Sequence, residues 1–197
     1  MPEVADLTAD LSRRPGYAGA LRPGESGFAQ VEALAQAAAV WSVIHSRPRC
    51  EKKLADYCRV QGVVHYLPLR VERKVYQRRK VEVWKPLFPG YVFACFGADQ
   101  RLLVVKSRQV VRLLTVKDQA RFVEEIVQIR RALDMDPGLG ACVAVTRGTR
   151  VRILRGPFQG LEGVVSTRKG QTRVVLNVDI IAQAVAVEVS LEMLETV

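Results

Sequence analysis

The chain has 197 residues, enough for one medium domain or two small ones, and its apolar fraction of 49% excludes a chain without a folded core. The net charge of +10 is concentrated in residues 41–133, where twenty Lys and Arg stand against eight acids, a net of +12. A field of this sign favours polyanionic partners, and the alternative is a charged face that keeps the protein soluble.

Several classes of protein are excluded by what the sequence lacks. No apolar run approaches the roughly 18 residues of a membrane span, and no signal peptide is recognisable. No nucleophile, P-loop or paired-carboxylate motif nominates a reaction, so we expect no enzyme. The four cysteines are Cys50, Cys58, Cys95 and Cys142. They form no C-x-x-C pair, which predicts reduced thiols, no metal or cofactor, and a cytoplasmic location.

The first part of the chain changes character near residue 41. Residues 1–40 are rich in Gly, Pro and Ala, which predicts a loosely ordered N-terminal extension. Residues 41–46 predict a strand, and Pro48 stands where a helix can begin. Gly62 is placed to end that helix, and a second strand is predicted over 63–69.

A basic hairpin is predicted over residues 70–85, with its tip at 77–80. It carries seven basic residues against two acids, and Tyr76 and Trp84 lie among them. Cations interleaved with aromatics suit phosphate contact and base stacking, and the alternative is an exposed hairpin kept soluble by its charge. The residues predicted to lie near nucleic acid are Arg73, Lys74, Arg78, Arg79 and Lys80.

The segment Pro86–Phe93 places three aromatics among two prolines and a glycine. The aromatics are Phe88, Tyr91 and Phe93. A contiguous exposed aromatic patch usually marks a contact site. The alternative is that residues 91–96 form a strand whose aromatics fill the protein's own core.

Alternating strands and helices continue to residue 133. A short helix is predicted from residue 98 to 105, a strand over 110–114, and an amphipathic helix over 119–133. The fold class of residues 41–133 is therefore α+β, an α/β sandwich with helices packed on a sheet.

The C-terminal part predicts only strands. Residues 134–146 contain acids, Pro and Gly without periodicity and predict a flexible linker. Residues 147–197 predict a small SH3-like β-barrel. Its five short strands are predicted over 149–154, 161–167, 171–177, 183–189 and 192–196.

Three motifs, in this order, resemble the NusG family of transcription elongation factors, including its specialised RfaH-like paralogs. The first two are Trp41-Ser42-Val43-Ile44 and Pro86-Leu87-Phe88-Pro89-Gly90-Tyr91-Val92-Phe93. The third starts with Gly156-Pro157-Phe158 and continues to Gly163. The first two are similar to the N-terminal (NGN) domain of the family, and the third to its KOW motif. The residues of the KOW resemblance are Gly156, Pro157, Phe158, Gly160 and Gly163.

The resemblance implies a protein that binds RNA polymerase at the clamp helices of the largest subunit and suppresses pausing or termination. The contact residues it implies are Phe88, Tyr91, Phe93, His45, Lys53 and Tyr57. A second polymerase contact would come from residues 101–104, and the basic hairpin would lie near upstream or non-template DNA.

The resemblance also implies that the barrel recruits a further partner, a small-subunit ribosomal protein or the termination factor Rho. Phe158, Ile180 and Ile181 are the candidates for that contact. The added residues 1–40 and Ser42 in place of an aromatic favour a specialised antiterminator, and we expect a monomer. The alternative is a ribosome- or RNA-binding KOW protein without polymerase contact.

Overall fold

The computed structural model describes residues 40–76, 79–168 and 170–197. Most of the predicted N-terminal extension and the hairpin residue Arg78 lie outside the described residues. The chain divides into two compact units, and each is described by itself.

The first unit comprises, within the described residues, 40–69 and 88–117. Its elements are β1 (Val40–Ser46), α1 (Glu51–Val60), β2 (Val64–Tyr66), β5 (Tyr91–Phe96), α2 (Ala98–Lys106) and β6 (Val110–Thr115). The strands form an antiparallel sheet in the order β2-β5-β1-β6.

The core of this unit lies on the two central strands. Val43 and Ile44 of β1 and Val92 of β5 are fully buried. Helix α1 packs on β2 and β5 and buries Leu54 and Cys58, which are four residues apart and therefore share one helix face. Burial raises the pKa of the Cys58 thiol to about 12, so this cysteine stays protonated and serves the core.

The second unit comprises residues 70–87 and 118–197. Strands β3 (Leu69–Tyr76) and β4 (Arg79–Pro86) pair as a two-stranded hairpin, and α3 spans Gln119–Met135. The other strands are β7 (Ala141–Val143), β8 (Arg150–Ile153), β9 (Glu162–Arg168), β10 (Gln171–Val178), β11 (Gln183–Glu188) and β12 (Leu194–Thr196). Two 3₁₀ turns, Asp179–Ile181 and Leu191–Met193, lie between them.

The six C-terminal strands form one sheet in the order β12-β8-β9-β10-β11-β7. Within the described residues β12 and β7 are its two edges, so the sheet is not closed there, and the SH3-like barrel stays a prediction. Both edges are short: β12 pairs with β8 through Leu194–Thr196, and β7 pairs with β11 through Ala141–Val143. Three-residue strands offer few ladder bonds with which to close a barrel.

Most predicted elements are confirmed with small shifts at their ends, but two strands are shorter than predicted. The strand predicted over 63–69 is β2, Val64–Tyr66, and the one predicted over 192–196 begins only at Leu194, because Leu191–Met193 form a 3₁₀ turn. The helix predicted over 119–133 is α3, whose N-cap Asp118 accepts a hydrogen bond from the Arg121 backbone amide at 3.0 Å. Strand β7 lies inside the stretch predicted as a linker. The domain boundaries at residues 133 and 147 stay predictions.

Candidate functional site

A tight turn joins β4 to β5 at the aromatic segment. The Tyr91 amide donates to the Phe88 carbonyl at 3.2 Å, which closes a four-residue turn with Pro89 and Gly90 at its centre. Gly90 has a φ of 85°, and proline followed by a positive-φ glycine is the pattern of a type II turn. The Gly90 carbonyl accepts from the Ser46 amide at 2.8 Å, which fixes the turn beside the end of β1.

Two of the three aromatics in this segment are core residues. Phe88 and Phe93 have no exposed surface, and their ring centroids lie 6.2 Å apart. Phe93 also contacts the buried ring of Tyr66, with centroids 6.2 Å apart. The expectation of an open surface made by all three rings is therefore corrected, because two rings fill the core as the alternative reading held.

The third aromatic, Tyr91, reaches the surface together with His45. Both side chains are half-buried, and their rings stack at 5.2 Å between centroids with 25° between planes. The pairing of β1 with β5 sets His45 opposite Tyr91 and so brings the two rings together. These two rings form the stacked pair, the partly exposed aromatic feature of the segment.

Helix α1 supplies the other two predicted contact residues. Lys53 is exposed and Tyr57 is half-buried, and a spacing of four residues puts them on one helix face. On α2, Arg101 and Leu102 are exposed, with Leu102 66% accessible, whereas Val104 is fully buried. Of the segment 101–104, Arg101 and Leu102 are thus the most exposed residues, and Leu103 is half-buried.

The hairpin carries its free cations near the tip. Glu72 pairs with Lys85 at 2.6 Å, Lys74 at 3.4 Å and Arg70 at 3.3 Å, and Lys85 in particular lowers the pKa of the Glu72 carboxyl. Arg73 pairs with Glu82 at 3.3 Å.

Arg79 and Lys80 are exposed and form no ion pair within the described residues. Tyr76 is 68% exposed and Val75 72% exposed close by on β3. Unpaired cations beside an exposed aromatic ring can hold a phosphate backbone and stack a base.

The three glycines of the KOW resemblance are required for two different structural reasons. Gly156 and Gly160 have φ values of 89° and 79°, which L side chains rarely adopt. Gly163 lacks space instead, because a Cβ there would lie 2.5 Å from the Val175 carbonyl oxygen. Phe158 is half-buried and Pro157 exposed, and both line a cleft of about 420 Å³.

The three partner-binding candidates of the C-terminal sheet do not share one surface patch. Ile181 is 8% exposed and belongs to the core, while Ile180 is half-buried. Neither isoleucine lines the cleft at Phe158, whose other walls include Val189 and Met193. Phe158 is therefore the candidate that combines an aromatic ring with an open hollow.

A polar stripe of α3 is a feature that the sequence analysis missed. Arg121 pairs with Asp179 of the 3₁₀ turn and with Glu125 at 3.3 Å. Burial first, and then the charge of Asp179, raises the pKa of the Glu125 carboxyl.

The same stripe continues along the helix. Gln128 accepts from the Glu162 amide at 3.0 Å, and Arg131 donates to the Gln159 carbonyl at 3.2 Å. The spacing of positions 121, 125 and 128 puts these side chains on one helix face. The sequence showed this helical spacing, but it could not show which residues of the C-terminal sheet, far along the chain, pair with these side chains.

Four exposed arginines were also missed. They are Arg47, Arg49, Arg108 and Arg112. The Arg47 amide donates to the Gln109 carbonyl at 2.8 Å, and Arg112 is the cross-strand partner of His45, so both strands bring arginines to one end of the sheet.

Two of the four have backbones in the left-handed region. The φ values are 61° at Arg49 and 59° at Arg108, a conformation uncommon outside glycine. The signal in the sequence was two pairs of closely spaced arginines, which could not be joined without the register of β1 with β6.

No set of three or more His, Cys, Asp or Glu side chains is arranged to hold a metal ion anywhere in the part of the chain that the structure describes. Among the same residues, no helix has the length and apolar character needed to cross a membrane.

Comparison with known proteins gives one family. Residues 39–131 match the family model of NusG, described as transcription termination factor nusG. The match covers the first motif, the hairpin, the turn and most of α3. No curated protein matches the chain.

Proposed function

Because this chain belongs to the NusG family through residues 39–131, we propose that it is a transcription elongation or antitermination factor that acts by binding RNA polymerase. The stacked pair of His45 and Tyr91 carries the proposal. It is a partly exposed aromatic surface at the turn that bears the second family motif, whose other two rings, Phe88 and Phe93, are buried in the core.

The proposed partner surface is the tip of the clamp-helix coiled coil of the largest polymerase subunit. Tyr91 and His45 offer ring faces to apolar side chains of that tip, and Tyr57 of α1 adds a third half-buried ring. Lys53 is exposed and suits an acidic residue of the polymerase. Aromatic residues that are already partly packed lose little entropy on binding, which makes them good interface anchors.

A second contact with RNA polymerase would account for the effect of the protein on pausing. Exposed Arg101 and Leu102 of α2 are proposed to meet the opposite side of the polymerase channel. A factor bound on both sides of the channel favours the closed clamp over the open one, because it binds the closed state with more contacts. The expected outcome is less pausing, which is the action of an antiterminator.

The test of the polymerase contact compares two tyrosines. We expect Tyr91→Ala to weaken binding of the full chain to core RNA polymerase by about 30-fold, the effect of losing an interface hot spot. Tyr76→Ala is the matched control, because Tyr76 is an exposed tyrosine of the hairpin. Binding is measured by titration of labelled protein, and equal affinity of the Tyr91→Ala variant and the parent chain would contradict the proposed surface.

Nucleic acid is the second proposed partner. The free cations Arg79 and Lys80, with the ring of Tyr76, suit the upstream or non-template strand of a transcribing complex. The four arginines at the end of the sheet add a further positive surface in the first unit. Arginine suits phosphate because its planar guanidinium can donate two hydrogen bonds at once.

The salt dependence of nucleic-acid binding tests this assignment and separates it from the KOW-only alternative. We expect Arg79→Ala with Lys80→Ala to weaken binding of single-stranded DNA and to reduce the slope of log affinity against log salt by about 1.4, at about 0.7 for each lost phosphate contact. The control, Arg147→Ala with Arg155→Ala, removes the same charge from the C-terminal sheet. A larger effect of this control, measured on RNA as well as DNA, would favour an RNA-binding protein without polymerase contact.

The C-terminal sheet is proposed to recruit a further protein, a small-subunit ribosomal protein or Rho. The cleft at Phe158 supports this proposal, since it combines an accessible aromatic ring with Pro157 and Met193. A partner held there while the first unit holds polymerase would gain from high effective concentration.

A further inference from the structure

Glu51 is a buried carboxylate that the proposed function does not yet use. It is the first residue of α1 and is only 7% exposed. Within the described residues it has no cationic partner, so the cost of burying its charge must be met by hydrogen bonds and by the helix N-terminus. Burying a carboxylate in this way costs folding free energy, which suggests that its hydrogen bond has a structural role.

The group that it holds is the central amide of the turn. Glu51 Oε1 accepts from the Gly90 backbone N–H at 2.7 Å, across 39 residues of chain. The Gly90 carbonyl is bound to the Ser46 amide, so both polar groups of this glycine are held by other elements. A short hydrogen bond to an ionised carboxylate is stronger than a neutral one.

Gly90 in turn lies against the stacked pair. The place of a Cβ on Gly90 would be 3.5 Å from the His45 ring, so the glycine backbone packs beside the imidazole that stacks on Tyr91. Tyr91 is the last residue of the turn, and His45 packs against Gly90. A shift of the turn would therefore displace both rings of the stacked pair.

The same hydrogen bond fixes the turn to α1, the helix that carries Lys53 and Tyr57. The four candidate contact residues are His45 of β1, Lys53 and Tyr57 of α1, and Tyr91 at the end of the turn. Strand pairing aligns only His45 with Tyr91. From this geometry we infer that Glu51 is a positioning residue, which sets α1 against the turn so that the four side chains form one polymerase-binding surface. This inference rests on the proposed function, since the surface matters only if it binds polymerase.

The experiment compares three substitutions at Glu51 in the full chain. We expect Glu51→Ala to leave the Gly90 amide without an acceptor, to speed hydrogen exchange of residues 88–91 by about tenfold or more, and to weaken binding to core RNA polymerase by about tenfold. Glu51→Gln keeps a neutral acceptor oxygen of the same reach and should fall between the parent and the alanine variant in both measurements. Glu51→Asp, one methylene shorter, should resemble the alanine variant and serves if that variant does not fold.

Each outcome decides a separate point. Unchanged exchange at residues 88–91 in the alanine and aspartate variants, or a glutamine variant as impaired as alanine, would overturn the positioning role. Faster exchange with parental polymerase affinity would also overturn it, provided that Tyr91→Ala weakens binding. If Tyr91→Ala itself binds as the parent does, the proposed polymerase surface fails, while the exchange data still report whether Glu51 holds the turn.

Discussion

Replacing Gly163 by alanine is expected to destabilise the C-terminal sheet by about 3 kcal/mol, at the upper end of what overpacking usually costs. The added methyl would lie 2.5 Å from the Val175 carbonyl oxygen and 2.8 Å from a methyl of Val174. The carbonyl belongs to the backbone of β10, which pairs with β9 through Val175 and Val164. Because backbone cannot rotate out of the way, the ladder between β9 and β10 must shift.

Gly140→Ala is the matched control for this prediction, since nothing lies within 4 Å of the place of its Cβ. It should change stability by less than about 0.5 kcal/mol. Hydrogen exchange of β8, β9 and β10 is the direct measurement, because it reports local opening even when the two units unfold separately. Equal exchange rates in the two variants would show that β9 and β10 can move apart at little cost.

Replacing Phe93 by alanine is expected to cost about 3–5 kcal/mol, the range for a fully buried aromatic ring. Phe93 contacts both Phe88 and Tyr66, and its removal leaves a cavity between these two rings. Tyr91→Ala should cost only about 1 kcal/mol, because Tyr91 is half-buried and its ring stacks on the partly exposed ring of His45.

The two variants are neighbours on one strand, so they separate support of the core from contact with a partner. Urea unfolding followed by Trp41 fluorescence is suitable, since Trp41 is buried opposite Cys95 of the same sheet, and a Trp84→Phe background removes the other tryptophan. If Phe93→Ala and Tyr91→Ala lose similar stability, the assignment of Phe93 to the core and of Tyr91 to the surface would be wrong.

The order of helices and strands could be predicted from sequence because local periodicity determines it. The apolar spacing of α3 and the alternation along β11 are clear within short windows. Strand β7 could not be found in this way, because Ala141–Val143 is too short to show alternation and follows glycines and a proline. Its strand character comes from pairing with β11, a contact between distant residues.

The candidate site was predictable only in part. The aromatic segment identified the turn, but β5 lies between β2 and β1 and five of its six residues are buried, so alternation could not tell which rings are exposed. Likewise, the bond between Glu51 and Gly90 joins residues 39 apart and leaves no local pattern. The register of β1 with β5 and β6 decided which side chains meet.

The polar stripe of α3 determines how the C-terminal sheet responds to its surroundings. Its contacts are charges and amides, and water can replace each of them at a small net cost. An apolar seam would tighten in concentrated sulfate, whereas the bond between Arg121 and Asp179 is screened by any dissolved salt. The polar contacts between the sheet and this helix are therefore ones that ionic strength can weaken, whereas apolar contacts are not screened.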